Sequence, residues 1–326
     1  MKSFDHYDAH SVMEALSIIR DYRGKARLMA GGTDLLGILK DDILSEYPEA
    51  IINIKTVPGL NKILEDKDGL KIGAMTRLVE IINSPLINSK YPLLADAAKS
   101  VATPEIRNMA TIGGNLCQDS RCWYYRYPHQ IGGRILCYRK GKGPCHAIKG
   151  DNRYHAIIGG KKCFAVCPSD MGTALTALDA TVVVSGHDGE RILPVQDFFD
   201  VMGPRIGPDE ILTEIRIKEP PSIAFQSFIK FRLRETIDFA IVSVASVITK
   251  ELDLCKDARI VLGAVAPVPY RATMAEEVLK GKPLDRSVVD EAAKAAVKDA
   301  KPLSGNAYKV EIAKSLVRRS ILPGES

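Results

Sequence analysis

Met29-Ala-Gly-Gly-Thr-Asp-Leu-Leu36 and, further along, Ile106-Arg-Asn-Met-Ala-Thr-Ile-Gly-Gly-Asn115 are the two stretches on which the fold turns. The first is read as a strand at 27–30 that runs into Gly31, Gly32, Thr33 and Asp34 and then into a short helix at 35–41. A glycine pair lets backbone N–H groups approach an anion closely, and a helix beginning just after it adds a favourable dipole. Two such turns in one unit could hold the two phosphates of a dinucleotide from opposite sides. Neither is G-x-G-x-x-G, and no G-x-x-x-x-G-K-[ST] occurs, so the Rossmann and P-loop readings lack their motifs. The plainer alternative is that both are tight turns and nothing more.

Working outward, Ser11 and Glu14 form a capping box for a helix whose apolar face is Val12, Ala15, Leu16 and Ile19, stopped by Gly24. Buried strands are expected at 50–54 and 70–74, and Thr76 opens a helix carrying Leu78, Ile81 and Ile82. After an irregular stretch, a helix at 171–178 and strands at 180–185 and 211–217 follow, before Pro220 and Pro221 punctuate the chain. The remainder has another grammar. Strands at 224–231, 239–249 and 258–265 precede helices at 274–279, 287–300 and 308–321, which predicts an α+β unit with helices on one face of an antiparallel sheet. The expected organisation is therefore mixed α/β, with one domain at 1–220 and a second at 221–326.

The 326 residues carry 45 basic and 40 acidic side chains, a net charge of +5 with no basic block, which argues against a nucleic-acid partner. A hydrophobic content of 46% excludes a disordered chain. The polar N-terminus and the lack of any run of about 18 apolar residues predict no signal peptide, no membrane span and a cytoplasmic location.

Six of the seven cysteines, Cys117, Cys122, Cys137, Cys145, Cys163 and Cys167, crowd into a region without sustained periodicity, together with Trp123, Tyr124, Tyr125 and Tyr127. In a reducing compartment metal binding is a better use for them than disulfides. No C-x-x-C is present, and spacing alone does not separate zinc from iron–sulfur, or either from thiols that merely pack. His129, His146 and His155 read as solvated or hydrogen-bonded loop residues, the aromatic group as packing for the insert, and Cys255 as core. No nucleophile–base arrangement stands out, so any chemistry here belongs to a cofactor.

The segments AGGTDLL, IRNMATIGGNL, CFAVCPSDMGTALTALDA and GAVAPVPYRA together resemble the FAD-binding medium subunit of the molybdenum hydroxylases, the xanthine dehydrogenase and carbon monoxide dehydrogenase group. That resemblance implies an FAD domain of the vanillyl-alcohol-oxidase (PCMH) type followed by a C-terminal flavoprotein domain. It implies that Met29, Ala30, Gly31, Gly32, Thr33, Asp34, Leu35 and Leu36 form the first pyrophosphate loop and Thr111, Ile112, Gly113, Gly114 and Asn115 the second, with Gln118 just beyond. Asp170 matches a carboxylate near the ribityl chain, and Lys230 a basic position near the flavin. The insert is similar to those of the flavin subunits of 4-hydroxybenzoyl-CoA reductase and of periplasmic-type aldehyde oxidoreductases, which hold an extra [4Fe–4S] cluster. The matching positions are Cys122, Cys137, Cys145 and Cys163, with Cys167 as the substitute should Cys145 or Cys163 not ligate.

The implied partners are a large subunit with the molybdenum cofactor and a small subunit with two [2Fe–2S] clusters, in a dimer of heterotrimers, with a ferredoxin-like external carrier. The rival readings are a flavoprotein that uses NAD and has a zinc-stapled insert, and a non-enzymatic nucleotide-binding module.

Overall fold

The computed structural model describes residues 1–221 and 224–322; of the expected second domain, residues 222–223 and 323–326 lie outside the described residues. Helix Val12–Asp21 begins where expected. The Ser11 hydroxyl accepts from the N–H of Glu14 at 3.0 Å, while the Glu14 carboxylate accepts from the N–H of His10 at 2.7 Å. Ala15, Leu16 and Ile19 of this helix pack on Ala26, Ala50 and Ile52 of a small parallel sheet, in which Ala50–Asn53 lies between Asp5–Asp8 and Ala26–Met29.

A second sheet is antiparallel, in the order Ile63–Asp66, Gly69–Gly73, Ile211–Ile217, Thr181–Gly186, Gly189–Pro194. Its middle strand arrives only after the cysteine-rich insert. The insert therefore hangs from a sheet that is closed on both sides of it in sequence. Short helices Leu78–Asn83, Pro85–Lys90, Pro92–Ser100 and Pro104–Met109 follow this sheet's first two strands. The last three lie outside the expected elements. Each opens on a proline, which fits the first helical turn because its missing N–H has no intrahelical partner there. At six to nine residues they are too short for helical periodicity to show.

The C-terminal sheet runs Ala224–Phe231, Val242–Glu251, Leu254–Gly263, Tyr270–Arg271, all antiparallel. Strand Val242–Glu251 is buried on both faces. Val242, Val244 and Ile248 meet the helices Thr273–Leu279, Arg286–Ala295 and Tyr308–Ile321, whereas Ala245 and Val247 join a core shared with the antiparallel sheet of the N-terminal part. Helix Asp170–Ala177 fills that junction, touching both Pro92–Ser100 and the C-terminal strands. The strand expected at 239–249 starts later, because Arg234 and Asp238 close a turn on each other. The helix expected at 287–300 ends at Ala295. Among the described residues no helix is long and apolar enough to cross a membrane.

Lys309 shows how the last helix is fastened. Its fully buried amine donates to the carbonyls of Ala264 at 2.6 Å, His155 at 3.1 Å and Tyr154 at 3.5 Å, tying helix, strand end and insert together. Burial pulls this amine down to about 7 from 10.5. The unfolded chain keeps the proton up to the higher value, so it binds more protons across that window and stability rises with pH through it. The urea midpoint is expected to climb between pH 7 and 10 by at least about 1.4 kcal/mol, the worth of one pKa unit, and Lys309→Met to flatten the climb.

Candidate functional site

The first glycine loop is shaped by how closely it must pass the second. A Cβ on Gly31 would overlap the carbonyl oxygen of Met109 and lie 2.7 Å from its carbon. Gly32 sits in the left-handed region at φ +73°, which turns the chain into helix Leu35–Lys40. Among the described residues the N–H groups of Gly31, Gly32, Thr33, Asp34 and Leu35 donate to no backbone acceptor. They edge a cavity of about 340 Å3 that also exposes Thr111, Gly114 and Gln118. A second cavity of about 480 Å3 lies on the other side of Ala30, Gly114 and Cys117 and is walled by Ala74, Gly113 and Pro208. The two share Arg27, Leu28, Ala30, Gly114 and Cys117, and so adjoin.

The second glycine pair is not a turn. It lies in helix Ile112–Cys117, capped by the Thr111 hydroxyl, which accepts from the N–H of Gly114 at 3.1 Å. The N–H of Ile112 donates to Thr76 at 2.9 Å and that of Gly113 to Ala74 at 2.8 Å. These amides are spent inside the protein, so what the pair offers is missing side chains: Gly113 lets the helix rest on Ala74, and Gly114 keeps the floor between the cavities bare. Of the expected loop residues, Met29, Leu36, Ile112 and Asn115 line neither cavity. Cys117, which belongs to neither expected loop, lines both.

Asn115 acts further back. Its side-chain oxygen accepts from the Ser169 hydroxyl at 2.7 Å, and Ser169 caps helix Asp170–Ala177 by accepting from the N–H of Gly172 at 2.8 Å. Asp170, in the first turn of that helix, accepts from the Lys230 amine at 2.7 Å, and both side chains are over nine-tenths buried. Lys230 also donates to the Ser100 carbonyl at 3.0 Å, where Arg232 donates at 2.8 Å. The structure thus brings the two expected residues Asp170 and Lys230 into contact across the junction of the N-terminal part and the C-terminal sheet.

In the insert, Cys122, Cys137, Cys145 and Cys163 all line one small cavity of about 20 Å3, with Tyr124, Tyr125, Tyr138 and His146 around it. Among the described residues no three His, Cys, Asp or Glu side chains stand close enough to hold a single metal ion. Cys167 is elsewhere: it is packed in the main core, and burial pushes its thiol up to about 12. His155, expected as a solvated or hydrogen-bonded loop residue, is shielded from solvent. Its Nε2 lies 3.2 Å from the Cys122 sulfur, and Trp123 stands edge-on to its ring. Burial drives its pKa down to about 4, so the ring is neutral. His146 contacts the Leu136 carbonyl at 2.8 Å, a hydrogen-bonded loop residue as expected, and His129 is exposed. Lys140 is the other unforeseen group. Its amine is buried and, among the described residues, has no hydrogen-bond partner, lying over the Tyr125 ring at 5.5 Å; desolvation lowers its pKa, and the nearby Cys137 and Cys122 sulfurs oppose that shift. Cys255 is core, as read.

Two adjoining cavities, one edged by free backbone donors, offer room and anion-binding groups for a dinucleotide. The chain belongs to the family of FAD-binding medium subunits of the molybdenum hydroxylases: the family described as the FAD binding domain in molybdopterin dehydrogenase matches residues 2–220, and the CO dehydrogenase flavoprotein C-terminal domain matches residues 227–323. It is 33% identical over 288 residues to the aldehyde oxidoreductase FAD-binding subunit PaoB of Escherichia coli strain K12, which covers 86% of each chain. It is 28% identical over 323 residues to the carbon monoxide dehydrogenase medium chain of Hydrogenophaga pseudoflava, covering 98% of this chain and 96% of the relative. The fold matches a solved carbon monoxide dehydrogenase of Hydrogenophaga pseudoflava that lacks the Mo-pyranopterin moiety of its cofactor, with a TM-score of 0.78 at 28% identity, covering 98% of this chain and 96% of that one. It also matches the reconstituted CO dehydrogenase of Oligotropha carboxidovorans, with a TM-score of 0.79 at 27% identity and the same coverage. These relatives are parts of oxidoreductases, and an FAD subunit of an oxidoreductase is what this chain is.

Proposed function

We propose that the chain is a two-cofactor electron-transfer subunit, with FAD in the two adjoining cavities and a [4Fe–4S] cluster on Cys122, Cys137, Cys145 and Cys163. The carrying observation is that these four cysteines, scattered through the insert, line one cavity in which no carboxylate takes part. The surroundings suit a centre of net negative charge. The unpartnered Lys140 amine lies near Cys137 and Cys122, and neutral His155 can donate from Nε2 to the Cys122 sulfur. A tetrahedral zinc with Zn–S bonds of about 2.3 Å would require sulfurs about 3.8 Å apart. A cluster would hold its four thiolates wider apart, and the metal content decides between the two.

For FAD, the free N–H groups of residues 31–35 would hold the pyrophosphate, with Thr111, Gly114 and Gln118 lining the same space. Asp170 and Lys230 would stand toward the flavin end, Asn115 holding Ser169 and with it the start of the Asp170 helix. When bound, the flavin exchanges electrons singly or in pairs and the cluster exchanges them singly. The chain's own residues bind, orient and tune; none supplies an acid or base. As in the carbon monoxide dehydrogenases it resembles, the partners would be a molybdenum-bearing large subunit and a small iron–sulfur subunit. A cluster beside the flavin fits a one-electron, ferredoxin-like external carrier better than NAD.

Anaerobic purification followed by flavin, iron and acid-labile sulfide analysis tests this reading. About four irons and four sulfides per FAD are expected. About one zinc in their place would overturn the cluster assignment, and a chain without flavin would overturn the whole. Cys122→Ser is expected to lose most of the iron while Cys167→Ser keeps it, since Cys167 lies outside the cavity.

A further inference from the structure

Asp34 sits where a helix N-cap belongs, yet its carboxylate makes no capping bond to helix Leu35–Lys40. It turns away from the glycine loop into the insert. There it accepts from the N–H of Asp119 at 2.8 Å, from Arg126 at 2.7 Å and from Arg121 at 2.9 Å, and is itself mostly buried. Arg126 donates back to the carbonyls of Ser120 at 2.7 Å and Asp119 at 3.0 Å, and the Tyr125 hydroxyl donates to the Asp119 carboxylate. The same tyrosine and Cys137 form one apolar cluster with Ile38 and Ile43, while Leu44 and Cys122 pack against it. The helix that leaves the first glycine loop therefore packs, without an intervening layer, on two of the four cavity cysteines.

We infer that Asp34 is a positioning residue that couples the two cofactor sites, so that loading the cysteine cavity sets the conformation of the 31–35 loop and raises its affinity for FAD. This rests on the reading of the four cysteines as cluster ligands. The physical warrant is that the loop's donors are useful only if residues 31–35 keep their conformation. The loop is fixed on one side by Met109 and, among the described residues, on the other through Asp34 and the helix after it. Without the cluster, residues 119–163 lack sustained helix or strand to hold Arg121, Arg126 and Tyr125 in place. Linkage then requires reciprocity: bound FAD must tighten the cluster's binding by the same factor as cluster loading tightens FAD.

The experiment uses the full chain, cluster-loaded and chelator-stripped, with iron and sulfide counted in each sample, and measures FAD dissociation constants by quenching of flavin fluorescence. The loaded form is expected to bind FAD about tenfold or more tighter, and saturating FAD to raise the chelator concentration at which half the iron is lost. Arg126→Met, at a position that lines neither FAD cavity nor the cysteine cavity, is expected to keep its iron while the loaded-to-stripped ratio falls toward one. Equal FAD affinity in loaded and stripped wild type overturns the coupling. A wild-type chain that never acquires iron and sulfide overturns the cluster reading itself. If Arg126→Met does not fold, the wild-type ratio and the chelator midpoints decide.

Discussion

Gly31→Ala is expected to give a protein that purifies almost without flavin. The added methyl has nowhere to go: it would overlap the Met109 carbonyl oxygen and lie 3.1 Å from the Ala110 Cα. These are backbone atoms, which cannot swing aside as a side chain can, so the two glycine-bearing segments must separate. Overpacking of this kind costs about 1–3 kcal/mol in a close-packed interior. The larger effect falls on FAD, because separating the segments tilts the 31–35 donors and parts the wall the two cavities share. Flavin per protein, read from visible absorbance, is expected to fall below about a tenth of wild type, with a modest drop in melting temperature. Gly37→Ala is the control. A Cβ there meets nothing within 4 Å, and alanine suits a helix interior better than glycine by about 0.5–1 kcal/mol. That variant is expected to keep its flavin and to melt no lower.

Lys230→Met is expected to destabilise the chain by about 3–5 kcal/mol, the largest stability effect in the molecule. The pair it breaks is buried on both sides, and removal of the amine strands the Asp170 carboxylate among apolar neighbours. The first turn of helix Asp170–Ala177 favours that charge but replaces only a fraction of what the amine supplies. Asp170→Asn added to Lys230→Met removes the stranded charge, so the double variant is expected to recover more than half the loss in a urea titration. Additive losses would show that the two groups do not depend on each other. On the proposed placement of the flavin end beside this pair, the single variant is also expected to weaken flavin retention.

Long elements were legible from the chain alone. Ile211–Ile217 and Ala224–Phe231 stand where alternation placed them, and Tyr308–Ile321 where its apolar spacing did. Three proline-led helices between 85 and 109 were not, because a segment of one or two turns carries too few apolar positions to fix a period. Strands Asp5–Asp8, Ile63–Asp66 and Gly189–Pro194 are mostly exposed and polar, so they too gave no signal. In the site, glycines and cysteines announced themselves by type and clustering. The contacts that give them meaning did not: Asp34 with Arg126 and His155 with Cys122 join residues far apart in sequence, and no local pattern encodes such a meeting. The second glycine pair misled in an instructive way, since the sequence shows where backbone is bare but not where its N–H groups already donate.

The hydrogen bond between Asn115 and Ser169 has a wider meaning. It brings together the two ends of the cysteine-rich segment, so the chain leaves the antiparallel sheet and returns to it at nearly one point. Residues 152–158 in between are not detachable: Ile157 and Ile158 belong to the C-terminal core, and Lys309 holds the carbonyls of Tyr154 and His155. The exchangeable stretch is therefore 118–150, which carries three of the four cavity cysteines, and its loss would re-register no strand of the sheet. A flavin subunit could thus shed a second redox centre in a single deletion.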